Sequence, residues 1–246
     1  MPYVEAWNLF YERSMNAGFT FNIGYVGNVG KDGSLNLALN AAPPGTGSAG
    51  QLLNAKYGRT ATTTLRGQIN NNNYNALQAN LSRRFSNGLY LHAAYTYSKA
   101  MDIISNQAGA MDNIDLARNY GPSSFYTTHN FVVGHVYELP FGKGKAFLNK
   151  GGILSFLVSG WQTNGVFRMQ SGKPFTPTAI ATSCNCPGNS QFAQQIKPVH
   201  YLHGVGSGHP WFDPSSYTVP PANQFGNAGR NSIRGPMFII KNGARF

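Results

Sequence analysis

Charge is scarce in this chain. Only 11% of its 246 residues are Asp, Glu, Lys or Arg, against roughly 25% in an ordinary soluble domain. Carboxylates are the scarcest, 8 against 19 Lys and Arg, which leaves a net charge of +11. The basic residues stand singly or in pairs and never form a run of four. With no nucleic-acid-binding motif beside them, they do not make a nucleic-acid surface. Cysteine is nearly missing: Cys184 and Cys186 are the only two, too few for a disulfide framework or for a paired-CxxC zinc module. No apolar stretch approaches eighteen residues, which excludes a transmembrane helix. The opening MPYVEAWNLF has neither the basic start nor the continuous apolar run of a signal peptide. A GxSxG elbow and paired carboxylates are also missing, and GVGSG lacks the flanking strand and helix of a phosphate loop. No catalytic constellation, cofactor site or metal site is expected.

What is present is aromatic residues at 13%, 29 glycines and many Asn. This profile suits a surface not covered by Lys and Glu. Outer-membrane barrels have it, and so do some secreted β-sandwiches and lectins.

Residues 73–99 organise the rest. Asn75, Leu77, Ala79, Leu81, Arg83 and Phe85 alternate with Tyr74, Ala76, Gln78, Asn80, Ser82 and Arg84. After Ser86-Asn87-Gly88, Leu89, Leu91, Ala93, Tyr95 and Tyr97 alternate with Tyr90, His92, Ala94, Thr96 and Ser98. Successive strand side chains point to opposite faces, so this is a hairpin with one apolar and one polar face. Each arm runs about eleven residues, long for a globular strand but matched to a tilted strand crossing a bilayer. The basic excess suits anionic headgroups and lipopolysaccharide phosphates at the strand ends.

Further strands are expected at 3–15, 19–30, 128–139, 156–170 and 236–246. Between them lie short turns at 16–18, 86–88 and 140–152, and long connections at 31–72, 100–127 and 171–234, with no helix expected in 31–72. Short turns alternating with long loops are the habit of bacterial outer-membrane barrels, whose short turns are periplasmic. The fold class is therefore all-β, an antiparallel transmembrane β-barrel with about seven long strands. Every backbone polar group in a bilayer must be paired internally, which a sheet achieves by closing. Arg83 lies on the apolar face but three residues from a turn, where an Arg costs about 0–1 kcal/mol rather than the 2–4 kcal/mol of the midplane.

The blocks PYVEAWNLFYER, GYVGNVG, NYNALQANLSRRFSNGLYLHAAYTYSKAMD, HNFVVGHVYELPFGKGK, GWQTNGVFRMQSGKPF and FGNAGRNSIRGP together resemble the barrel of TonB-dependent transporters, closest to the Oar-like branch. They cover most of the chain in family order. The resemblance implies an outer-membrane barrel of about twenty-two strands, an N-terminal plug and drive from the TonB system. No plug precedes Tyr3 in this sequence, and such proteins continue past RGP. The expectation is a partial barrel spanning 1–246 with two open edges, since bacterial barrels use even strand numbers from eight upward.

Gln78, Asn80, Arg84, Gln162, Asn164 and Arg168 are the candidate lumen-facing residues, able to meet a plug, a passing ligand or only water. Phe85, Tyr95, Tyr97, Tyr137 and Trp161 are the candidates for interfacial aromatic girdles. Cys184 and Cys186 could form a disulfide in an oxidising compartment. His200, His203 and His209 near them match no zinc spacing. Asp102, Asp112 and Asp115 lack calcium-loop spacing and are expected in a solvated outer loop. His92 and His135 are read as lumen or girdle residues. The function expected is part of a TonB-dependent barrel in the outer membrane that takes up a scarce, unidentified small ligand, with no enzymatic activity and no nucleic-acid partner. The alternatives are a passive or adhesive surface barrel, or a secreted β-sandwich binding glycans.

Overall fold

The computed structural model describes residues 1–105, 109–150 and 152–245. Seven long strands form one sheet in chain order, each antiparallel to the next: β1 (Tyr3–Ser14), β2 (Phe19–Ala38), β3 (Thr64–Ser86), β4 (Leu89–Asp102), β5 (His129–Glu138), β6 (Gln162–Gln170) and β7 (Phe238–Arg245). The two-residue strand Gly121–Pro122 lengthens the pairing of β4 at its end away from the hairpin turn. Among the described residues β1 and β7 each pair on one side only, so the sheet is an open arc of a barrel.

Local chemistry explains the hairpins. Asn87 and Gly88 both hold positive φ, 50° and 76°, as the right-handed twist of paired strands demands of a tight turn. Register then keeps the faces pure. Leu77 pairs with Tyr25 and Tyr97, Ala79 with Ile23 and Tyr95, and Leu81 with Phe21 and Ala93. Tyr95 and Ala93 pair onward with Phe131 and Val133, and these with Met169 and Phe167. Leu9 and Tyr11 complete the row opposite Tyr25 and Ile23. Among the described residues no protein layer covers this apolar face: Leu9 is 77% exposed and Leu77 44%.

Two glycines in β2 make room for rings. Phe10 is paired with Gly24 and lies over it, so an added Cβ would sit 2.1 Å from the ring; Trp7 covers Gly27 in the same way on the other face. Gly24→Leu is expected to displace Phe10 and cost about 1–3 kcal/mol, as overpacking does. Gly134→Ala, with no atom within 4 Å of its new carbon, should be near neutral. The thermal midpoint of the folded, heat-modifiable band on cold gels checks both.

The buried core lies mainly in the connections and in the strand ends that meet them. Phe192, Ile233, Gln191, Asn40, Asn119, Asp112, Cys184 and Ser216 are among the most deeply buried side chains and lie outside the seven long strands, while Leu35, buried as deeply, lies near the loop end of β2. One cluster gathers Leu35, Ile104 and Ala110, another Phe192, Ala193 and Ala228. Amide side chains stitch the connections together. Asn113 accepts from the Ala38 backbone and donates to Gly188, and Asn189 donates to Ala42.

Several boundaries differ from the sequence expectation. β2 runs to Ala38 and β3 begins at Thr64, so both ends of the 31–72 connection are paired strand and the loop proper is 39–63. It also holds a short helix, α1 (Leu52–Tyr57), which Gly58 ends with a φ of 65°. The expected 156–170 strand starts only at Gln162, because α2 (Ile153–Val158) and the turn at Gly160 occupy its first part. Leu157 is therefore helical, and Trp161 donates its indole N–H to the Leu157 carbonyl.

Candidate lumen wall and loop cap

The polar face of the sheet is the candidate site. Glu12, Asn22, Asn80, Ala94, Val132, Arg168 and Ile240 form one lateral row by strand register. Phe10, Gly24, Gln78, Thr96, Asn130, Gln170 and Phe238 form the next. Asn80 and Arg168 thus share a level, three strands and about 14 Å apart. Arg168 donates through Nε to the Asn130 amide at 3.3 Å. Asn164 lies lower, opposite Val136, and Gln162 opposite Glu138 at the turn. Arg84 is exposed beside the Ser86–Gly88 turn. The six residues are a wall rather than one cluster. The β5–β6 part of that wall is more apolar than the pattern predicted, with Val132, Val136 and Val166 on it.

The aromatic candidates divide between two levels. Tyr97 pairs with His129 at one end, and Leu89 pairs with Tyr137 at the other. Eight residues separate them, about 27 Å along the strand, comparable with the roughly 25 Å apolar band of outer-membrane barrels once tilted. Tyr95, whose hydroxyl meets His129 Nδ1 at 2.8 Å, joins Tyr97 at the loop end. Phe85 and Trp161 join Tyr137 at the turn end. Arg83 lies over the Phe19 ring at 5.2 Å, near the turns.

Above the polar face the long connections fold into a cap. Its centre is Arg230, whose guanidinium pairs with the Asp102 carboxylate, both nearly buried. Arg230 also donates to the carbonyls of Asn119, Asp102 and Gly121 at 2.5, 2.6 and 3.1 Å. The Asp102 carboxylate further accepts from Ser123 at 2.6 Å and Ser105 at 3.0 Å. Asp102 pairs with Asn72 on β3, in the same parity as Gln78, so the cap is pinned to the polar side.

This corrects the expectation of a solvated aspartate loop. Asp102 and Asp112 are 3% and 0% exposed. Asp112 accepts the backbone N–H groups of Ile114 and Asp115 and pairs with Arg118 at 3.4 Å. Asp115 instead caps the turn at Leu116–Asn119. Sequence distance hid the cause, since Arg230 reaches Asp102 across 128 residues.

The 171–234 connection is likewise structured. Cys184 and Cys186 are joined to each other, so neither is a thiolate ligand. His203 packs edge-on against Trp211 at 5.1 Å. Asp213 pairs with Lys197 and accepts from Ser215; the Lys197 bond, first, and the Ser215 bonds hold its carboxyl down at about 2. Among the described residues no group of three His, Cys, Asp or Glu could hold a metal. His92 lies on the polar face and His135 on the apolar one.

A cavity of about 360 Å3 opens where wall and cap meet, lined by Asn28, Asn72, Tyr74, Ser123 and Phe125 among others. Sequence reading missed these residues. The NNNNYN run was legible, but placing Asn72 in a loop concealed its parity with Tyr74 and Gln78.

Residues 1–241 match the family model described as outer membrane beta barrel domain. No curated protein matches. Among solved structures the chain is similar to the outer membrane transporter YddB from Escherichia coli, at 9% identity and a TM-score of 0.47, over 75% of this chain and 22% of that one.

Proposed function

Since the chain belongs to the outer membrane beta barrel domain family and resides in the outer membrane, we propose that it forms part of the wall of a TonB-dependent, Oar-like transporter. Its outer loops would bind a scarce ligand, which then passes along the polar face when a plug domain, pulled by the TonB system, rearranges. The wall itself carries no covalent chemistry and no cofactor. Its partners in this reading are the plug and TonB, the ligand, and lipid and lipopolysaccharide around the apolar face.

The observation that carries the proposal is the cap. An adhesive barrel would project its loops outward, whereas Arg230 and Asp102 fasten these loops over the polar face. A gated mouth needs such a cover. The β-sandwich alternative fails on the fold, which has one sheet layer with strands of 9–23 residues in its wall before β7. The test is genetic. Loss of this gene and loss of TonB should abolish growth on the same limiting nutrient. A nutrient whose entry needs this gene but not TonB would make the protein a passive channel.

A further inference from the structure

We infer that the cavity between wall and cap is a subsite for a neutral carbohydrate, an assignment that rests on reading this chain as the wall of an uptake system. The charged residue of its lining, Asp102, is paired with Arg230 behind it. The Asp102 carboxylate is filled by Arg230, Ser105 and Ser123. The Arg230 guanidinium is filled by that carboxylate, three carbonyls and the Ser105 hydroxyl. A cation or anion entering here would leave water for a site with no free counter-charge, which is unfavourable. A neutral ligand meets no such penalty.

The free groups are amides and rings. Asn28 and Asn72 make no side-chain hydrogen bond among the described residues. Their amides offer adjacent donors and acceptors, suited to a pair of neighbouring hydroxyls. Gly30 leaves space for the Asn72 amide, whose atoms lie 2.6–3.0 Å from where a Cβ would stand. Tyr74 pairs with Asn28 through the backbone and shares its face. Phe125, 63% exposed, stands on the cap side of the same cavity. Rings beside amides give a sugar an apolar surface for its C–H face and partners for its hydroxyls. Asn70, by contrast, is spent on the Ile104 backbone and is structural.

The amides continue inward on the same face through Gln78, Asn80, Asn22, Asn130 and Gln170. A ligand leaving the cavity would find a similar partner at each level. The volume, about 360 Å3, lies at the small end of known ligand sites, roughly 300–1,000 Å3.

Calorimetric titration of the detergent-purified protein with maltohexaose, cellohexaose and xylohexaose tests the inference, with tetra-alanine and inorganic phosphate as comparators. At least one glycan should bind. Asn72→Ala and Phe125→Ala should each weaken it about tenfold or more, with Asn28→Ala as a third variant and unchanged heat modifiability reporting an intact fold. Binding by none of the three glycans, binding unaffected by these variants, or tighter binding of tetra-alanine or phosphate would overturn it. The two readings fail separately. A glycan that binds here yet enters cells equally without TonB supports the subsite and sinks TonB-driven uptake. TonB-driven entry of a ligand indifferent to Asn72 and Phe125 does the reverse.

Discussion

Arg230→Ala is expected to open the loop cap while leaving the strand wall folded. The substitution strands the Asp102 carboxylate at 3% exposure and empties five hydrogen-bond positions around it. Removing one member of a buried ion pair costs about 3–5 kcal/mol, because the remaining charge is left without compensation. The pair fastens the connections to the end of β4 without taking part in strand pairing, so the loss should appear as local opening. Cleavage by an added protease follows the open population when reclosing is fast. Proteinase K applied to the outer surface should therefore cut residues 100–127 and 171–234 about 10²–10⁴-fold faster than in the parent. Heat modifiability of the barrel should persist. The double variant Arg230→Met with Asp102→Asn should recover much of the protection, since neither partner then buries an unpaired charge. Equal cleavage in parent and Arg230→Ala would mean that the pair does not hold the cap.

Leu81→Arg should prevent stable insertion, and Asn80→Arg should not. The two residues are adjacent on β3 and face opposite ways. Leu81 pairs with Phe21 and Ala93, at mid-height between the turn and the Tyr97 level. A cation at the bilayer midplane costs about 2–4 kcal/mol. Asn80 pairs with Asn22 and Ala94 on the polar face, in the row of Arg168, where a second Arg meets water. The fraction of each variant recovered in the outer membrane as the heat-modifiable form measures the difference. Equal recovery would mean that Leu81 does not look at lipid.

The wall was legible because its physics is local. Alternation from Asn75 to Arg83 and from Leu89 to Tyr97 fixes both faces, a register shift follows between Arg83 and Ser86, and Asn87-Gly88 fixes the turn. Strand parity is a property of neighbours, and a sequence displays neighbours. Where alternation faltered, the reading faltered. Residues 156–161 looked like strand because Leu157 and Trp161 are apolar at an even spacing, yet α2 and Gly160 precede β6.

The cap was not legible, because its contacts join residues far apart. Asp102 is an ordinary loop aspartate until Arg230 arrives across 128 residues. The long connections read only as outer loops, whereas Asn40, Asn113, Asn119 and Asn189 satisfy backbone carbonyls of other segments. Burial of polar groups in irregular chain needs such side-chain partners. Composition hints at the need without naming the pairs.

Nitroxide labels placed singly at residues 76–82 and 91–97 in outer-membrane preparations give the most direct measurement of which way each side chain looks. Collision with oxygen, enriched in the bilayer, should be high at 77, 79, 81, 91, 93 and 95. Collision with a water-soluble nickel complex should be high at 78, 80, 82, 92, 94 and 96. Rates that rise and fall together along the strand, or that are low at both sets, would contradict a wall standing between lipid and lumen.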